Sequence, residues 1–229
     1  GSVYLIILIS FLYFIFSKFN ISRIDDFSYY KYIQMNIEEI IGNNLIFNLF
    51  LFFIFSIIWV VLLGFGSPLL ILSGILFGKW IGTFISVFSI SLGALCLYII
   101  GNYFFSGLIQ ELLKNKFSKY IERFQKNEFN YFFAFRLAGG LGIPFFLQNL
   151  LPVIFKMKNF NYFFASLLGF IPHFFIWSSI GAGINRFIKE SEAFSFINLI
   201  MSEEIYVPIF IFIFLIIILL IIKNIFFND

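Results

Sequence analysis

The chain has 229 residues, of which 61% are hydrophobic and 12% charged, with a mean hydropathy of +1.00 and a formal net charge of +3. So apolar a composition excludes a soluble domain and marks an integral membrane protein. One cysteine excludes an internal disulfide and a cysteine-based metal cluster, one histidine excludes a histidine metal pair, and no basic cluster of the kind that binds nucleic acid is present.

Gly1–Ser2 resembles a cloning remnant and is set aside. Val3–Ser17 is apolar but short for a full span, which predicts a tilted anchor. Lys18–Asn44 carries mixed charge and reads as an extramembrane segment with a short interfacial helix. Leu45–Leu63 holds no charge and is long enough to cross a hydrocarbon core. It stops at the breaker cluster Gly64-Phe65-Gly66-Ser67-Pro68, and the apolar piece that follows, to Gly78, is too short to cross. Gly64–Gly78 is therefore expected to enter the membrane without spanning it, shaped by Gly66, Pro68, Gly74 and Gly78.

Ile81–Phe105 is a long span whose small residues, Gly82, Ser86, Ser89, Ser91, Gly93, Ala94 and Gly101, predict close helix packing in lipid. Cys96 within it reads as a small packing residue. Gly107–Glu128 has apolar residues at helical intervals with five basic residues in other directions, the pattern of an amphipathic helix on the cytoplasmic surface.

Arg136–Pro152 is the most informative stretch. It places an arginine, three glycines, two prolines, Gln148 and Asn149 inside otherwise hydrophobic sequence. Gly139, Gly140 and Gly142 supply little helix propensity, and Pro144 and Pro152 each remove a backbone donor, so the chain should break at membrane depth. Broken backbone survives there only if protein covers it or it lines a wet cavity, which predicts a second re-entrant segment over Ala138–Lys156. Arg136 is then a binding candidate for a phosphate, through a charge-assisted contact, with Gln148 and Asn149 as hydrogen-bonding partners. Arg136 could instead be a fixed partner for backbone carbonyls at a hairpin end, and Gln148 and Asn149 internal glue between helices.

Phe160–Ile184 forms another span interrupted by Gly169 and Pro172, and His173 within it reads as an interior hydrogen-bonded histidine. Asn185–Tyr206 is acidic and fits the opposite side of the membrane, and Val207–Ile222 reads as a final spanning helix. A breaker-rich segment followed by a small-residue helix thus occurs at Gly64–Phe105 and again at Ala138–Ile184. The expected fold is an all-α integral membrane protein of about five transmembrane helices plus two opposed re-entrant hairpins in an inverted repeat. Residues 1–44 form an anchor and polar segment, residues 45–184 the membrane domain, and residues 185–229 a polar loop and last helix.

The ordered run Ser67-Pro68, Ser73-Gly74-Ile75-Leu76-Phe77-Gly78, Gly82, Gly93-Ala94, Phe135-Arg136-Leu137, Ile143-Pro144-Phe145, Asn149, Gly169-Phe170-Ile171-Pro172 and Gly181 resembles the SNARE-associated Golgi protein domain, also called the VTT domain. Its superfamily includes the bacterial DedA-like membrane proteins. The resemblance implies two opposed re-entrant hairpins and involvement in moving lipids between leaflets, with Arg136 and Asn149 at the family's arginine and asparagine. Gly64–Gly78 has no acidic residue where the DedA branch carries one, and Asn102 stands where many relatives have arginine, so the closer match is the non-DedA branch. The expected activity is scramblase- or flippase-like passage of a phospholipid or polyprenyl-phosphate headgroup through a polar groove. The membrane segments lack the convergent acids, bases or metal ligands an enzyme would need, and no cofactor is implied. Anionic lipids are the expected partners, a homo-oligomer is compatible, and the bacterial cytoplasmic membrane is the expected location. A structural or partner-binding membrane protein is the alternative.

Overall fold

A computed structural model describes residues 27–62, 64–190, 197, 200–203, 205–211, 213, 214 and 217, without the side chains of residues 27, 105, 106 and 108–120. The anchor expected at Val3–Ser17 lies outside the described residues, as do much of Asn185–Tyr206 and the later part of Val207–Ile222. Every element among the described residues is helical. The protein is an integral membrane protein of the all-α class.

Helix α1 (Phe27–Asn43) meets α2 (Leu45–Val61) at an angle of 105°. Two asparagines fix that corner. Asn44 caps α2, its Oδ1 accepting from the Phe47 N–H at 3.2 Å, and Asn48 donates from Nδ2 to the Ile40 and Asn44 carbonyls, both at 2.9 Å. In α2 only Phe52, Ser56 and Val60 are buried, one stripe at four-residue spacing, and the apolar remainder is left for lipid.

The chain turns back after Val61. The indole N–H of Trp59 donates to the Phe65 carbonyl at 2.9 Å, and the Gly64 N–H donates to the Trp59 carbonyl, so the reversal closes on its own helix end. Helix α3 (Gly66–Lys126) follows, broken at Gly78 into arms of residues 66–77 and 79–126. Gly78 has φ +74°, a conformation that glycine adopts without steric cost, and the second arm folds back on the first: a Cβ at Gly82 would stand 2.6 Å from the Ser73 carbonyl oxygen.

These contacts redraw the first broken segment. Gly64–Gly78 was expected to go in and out by itself, but residues 66–77 are one continuous arm. Its antiparallel partner is α2, since Phe77 meets Phe52 edge-on at 5.4 Å near one end of the pair. The other end holds the reversal at residues 62–65, level with Gly93, whose added Cβ would stand 2.9 Å from Val60. Fifteen residues of helix, 79–93, separate the levels of Gly78 and that apex, roughly 21 Å at the helical rise.

The second arm of α3 does not end at Phe105 as expected but continues as helix to Lys126, so the surface segment is an extension of the crossing helix. All seven of its predicted small residues are buried. Cys96, expected in packing, is exposed. Helix α4 (Glu128–Leu137) leads into a 3₁₀ turn (Gly139–Gly142), α5 (Phe145–Leu150), a second 3₁₀ turn (Leu151–Val153) and α6 (Asn159–Glu190). Glu128 binds the chain where it returns, accepting from the Lys158 N–H at 3.3 Å and from Asn161 Nδ2 at 2.6 Å. Residues 128–158 therefore form a second hairpin closed at its base.

Helix α6 is unbroken through Gly169 and Pro172, contrary to the interruption expected there. Gly169 serves close packing instead: a Cβ on it would lie 2.5 Å from Arg136 Cβ. Among the described residues, Gly66–Phe104 and Asn159–Glu190 are long and apolar enough to cross a membrane; the first contains the reversal at Gly78, which leaves residues 79–104 as its continuous crossing helix, and the bent pair α1–α2 is a third candidate by length and composition. The two long helices form the central layer. The first hairpin packs near the Glu190 end of α6, where Lys189 pairs with Glu38 of α1, and the second is tied to its Asn159 end.

Candidate functional site

The apices of the two hairpins meet. Phe65, Gly66 and Ser67 from the first and Gly139, Phe145 and Gln148 from the second surround a cavity of about 260 Å³, walled on its third side by Phe170, His173, Phe174 and Trp177 of α6 and reached by Arg136. The second apex turns through backbone that few side chains tolerate: Gly139, Gly140 and Gly142 have φ of +68°, +73° and +78°, and Leu141 has φ +54° with its side chain 73% exposed. Pro144 then stands as the residue capping α5, and Pro152 sits in the turn that ends the hairpin.

Arg136 is 1% exposed, yet its guanidinium has no carboxylate partner among the described residues. Neutral groups hold it. Nη1 donates to Gln148 Oε1 at 3.3 Å, and Nη2 donates to Asn149 Oδ1 at 2.7 Å and to the Tyr162 hydroxyl at 3.1 Å. The rings of Phe132 and Phe170 each lie with centroids 4.6 Å from the guanidinium carbon. Such cation–π contacts are worth about 2 kcal/mol each when water is excluded, which offsets part of the cost of burying the charge. Among the described residues no carboxylate compensates the positive charge at the cavity wall, and Nε lacks an acceptor.

The three residues singled out from sequence are thus adjacent. Arg136 and Gln148 line the cavity, while Asn149, fully buried, stands behind the guanidinium and accepts from it. Gln148 also ties the apex, donating from Nε2 to the Ile143 carbonyl at 2.7 Å. Of the predicted backbone positions, Gly66 opens the first hairpin's return arm with Pro68 in its first turn, Gly74 packs against α6, and Gly78 makes the second reversal.

Sequence reasoning missed Tyr162, Phe132, Phe170 and Glu128. Tyr162 is fully buried, bridges Arg136 to the Asn149 carbonyl at 3.2 Å, and stacks on Tyr98 at 4.6 Å. The polar run Asn159-Phe160-Asn161-Tyr162 at the head of a span was a signal for it. Phe132 carried none among 39 phenylalanines, and Phe170 stood out only as part of the Gly169–Pro172 run, with nothing in it to point to Arg136. His173 is an interior hydrogen-bonded histidine as expected, its Nε2 accepting from Trp177 Nε1 at 3.0 Å. On the opposite face of α6, a separate groove of about 600 Å³ between Trp80, Phe84, Phe88, Ile171 and Phe175 is lined almost wholly by apolar side chains.

A family model described as the VTT domain matches residues 60–183, more than half of the chain. The matched stretch runs from the end of α2 into α6 and contains both apices, the Arg136 network and the cavity. No solved structure matches the chain.

Proposed function

The chain belongs to the VTT-domain family, a membrane-associated family linked to lipids, and from that premise we propose that it exchanges lipids between leaflets, the headgroup passing the cavity between two re-entrant hairpins while the acyl tails remain in the bilayer. The observation that carries this reading is the buried Arg136, without a carboxylate partner among the described residues, at the wall of a cavity formed by both apices.

Each hairpin enters the membrane and returns to its own side. Helix α4 has 10 residues, about 15 Å of helix, too short for a core of about 30 Å. Hairpins of this kind, opposed near the midplane, keep unpaired backbone inside protein. An uncompensated cation there attracts an anionic headgroup several-fold more strongly than in water, because the effective dielectric is lower. A choline or ethanolamine headgroup brings its own cation into the same field and gains less. Arg136 is covered at rest, so its charge acts first at a distance, and direct contact requires Gln148 to turn aside. The protein is read as a conduit that performs no chemistry on the lipid, in the bacterial cytoplasmic membrane, with anionic membrane lipids as its partners.

Reconstitution into vesicles carrying a fluorescent lipid, with reduction of the outer-leaflet dye, tests this directly. Protein-containing vesicles are expected to lose signal from the inner leaflet at least about tenfold faster than empty ones, a barrier lowered by about 1.4 kcal/mol. Equal rates would favour a partner-binding membrane protein.

A further inference from the structure

The apolar groove on the far face of α6 plays no part in headgroup passage. Its floor is Thr83, Val87 and Ile176, each buried, and Trp80 and Phe84 stand as a wall, 71% and 66% exposed. Ile211 closes part of a third side. The Thr83 hydroxyl is turned to its own helix, donating to the Lys79 carbonyl, so its proton is not available to an occupant. From Trp80 to Phe88 is eight residues of helix, about 12 Å, which lies between the Gly78 reversal and the level of the apices. Half a hydrocarbon core is about 15 Å, so the groove belongs to one leaflet, that of the first hairpin's base. Water finds no partners in such a cleft, whereas an alkyl chain fills it without losing a hydrogen bond.

At the mouth of the groove Lys79 is exposed, one residue before Trp80 and at the base of the first hairpin. An ammonium and an indole at the membrane–water boundary suit a phospholipid headgroup. A second copy of the chain fits less well. Copies share one orientation in the membrane, so a copy seated on this face in a two-fold pair would bring its own Lys79 to the same level, like charge against like. We propose that the groove is a binding site for one phospholipid of the leaflet at the first hairpin's base, an acyl chain lying between α3 and α6 and the phosphate held at Lys79. The site lies across α6 from the Arg136 cavity and does not rest on the exchange reading. A lipid seated there packs against Ile171, Pro172 and Phe175, residues interleaved along α6 with the cavity's Phe170, His173 and Phe174, and so braces the helix from behind.

Photo-crosslinking of the full chain in maltoside micelles tests the site. The probe is phosphatidylglycerol with a diazirine midway along one acyl chain, and a phosphate-free galactolipid with the same chains is the comparison. Phosphatidylglycerol crosslinks should concentrate on residues 80–88 and 167–176, saturate as a single site, and fall when unlabelled phosphatidylglycerol is in excess. Lys79→Gln should weaken the apparent affinity about fivefold, the scale of one charge at a membrane surface, with Lys79→Arg close to wild type. The galactolipid should bind as weakly to wild type as phosphatidylglycerol does to Lys79→Gln. Val87→Phe sets a ring into the floor and should remove the crosslinks from both helices; Lys79 is exposed, so its variants decide the matter if that protein does not fold. Labelling that rises without saturating, or that is equal for both lipids and for Lys79→Gln, is ordinary solvating lipid and overturns the proposal. An unlabelled groove overturns it too, and light scattering then separates a second copy, if the protein is a dimer, from a segment of the same chain, if it is a monomer. Crosslinking needs no transport, so a saturable site in a protein that exchanges no lipid would remove the exchange reading and leave this one standing.

Discussion

A Cβ built on Gly74 would lie 2.0 Å from the Ser178 carbonyl oxygen and 2.9 Å from the Ala182 nitrogen, both backbone atoms of α6 that no side-chain rotation can move aside. Gly74→Ala therefore requires the return arm of the first hairpin to separate from α6 by roughly 1.5 Å to reach ordinary van der Waals distance. That movement takes the Ser73 and Ser178 hydroxyls, now 3.0 Å apart and fully buried, beyond hydrogen-bonding range. Overpacking of this kind costs about 1–3 kcal/mol, and a buried polar contact between membrane helices adds about 0.6 kcal/mol. A total near 2–3 kcal/mol should lower the melting temperature by on the order of 5–10 °C for a chain of this size. Thermal unfolding in detergent, followed by the monodisperse fraction in size-exclusion chromatography, measures it. Gly42→Ala is the control, because nothing lies within 4 Å of its added Cβ. Equal melting temperatures for Gly74→Ala and wild type would show that the first hairpin is not seated on α6 as described.

Single cysteines in a Cys96→Ala background at Asn44 and Lys79 should react with an impermeant maleimide from one side of the membrane, and those at Lys126 and Lys158 from the other, because each pair marks the base of one hairpin; reaction of either pair from opposite sides would break the re-entrant description. Glu128→Ala leaves the Lys158 N–H and the Asn161 amide without their acceptor and should destabilise the fold by about 1–3 kcal/mol, read in the same unfolding assay, whereas an unchanged midpoint would mean the second hairpin does not depend on its clasp. Tyr162→Phe keeps the stack on Tyr98 and removes the bridge between Arg136 and Asn149, so a smaller loss of about 1 kcal/mol is expected; a loss as large as that of Glu128→Ala would place the hydroxyl at the centre of the network's stability.

Much of the fold was legible because lipid imposes strict rules on backbone. The charged and breaker-rich stretch at Arg136–Pro152 could not be a plain helix, and it is not one. The buried small residues of the second α3 arm followed from how helices pack without a hydrophobic driving force. What could not be read was pairing. Residues 66–77 are too short to span, but nothing local says that their partner is α2 and not the following helix, since Phe52 and Phe77 look like any other phenylalanines of the chain. The run to Lys126 was hidden for a related reason: the polarity changes at Phe105, while the helix hydrogen bonds do not. Pro172 carries a strong breaker signal, yet α6 absorbs it because its neighbours hold the helix in place. In the site, Arg136, Gln148 and Asn149 were named from residue type and came out adjacent. Their geometry was not readable, because only the apex turn brings residue 148 back to residue 136 and only α6 supplies Tyr162 as the third acceptor.

Leaflet exchange by Arg136 variants tests the central claim most directly. Arg136→Gln keeps hydrogen-bond donors and removes the charge, and Arg136→Lys keeps the charge and loses the planar fork. In vesicles containing fluorescent phosphatidylglycerol or fluorescent phosphatidylcholine, Arg136→Gln should slow exchange of the anionic lipid by about tenfold or more and that of the zwitterionic lipid by less, with Arg136→Lys between it and wild type. Both variants must first be monodisperse, with melting temperatures close to wild type. Equal rates for wild type and a well-folded Arg136→Gln protein, with both lipids, would mean that the guanidinium only braces the second hairpin, and the account of headgroup passage through this cavity would be contradicted.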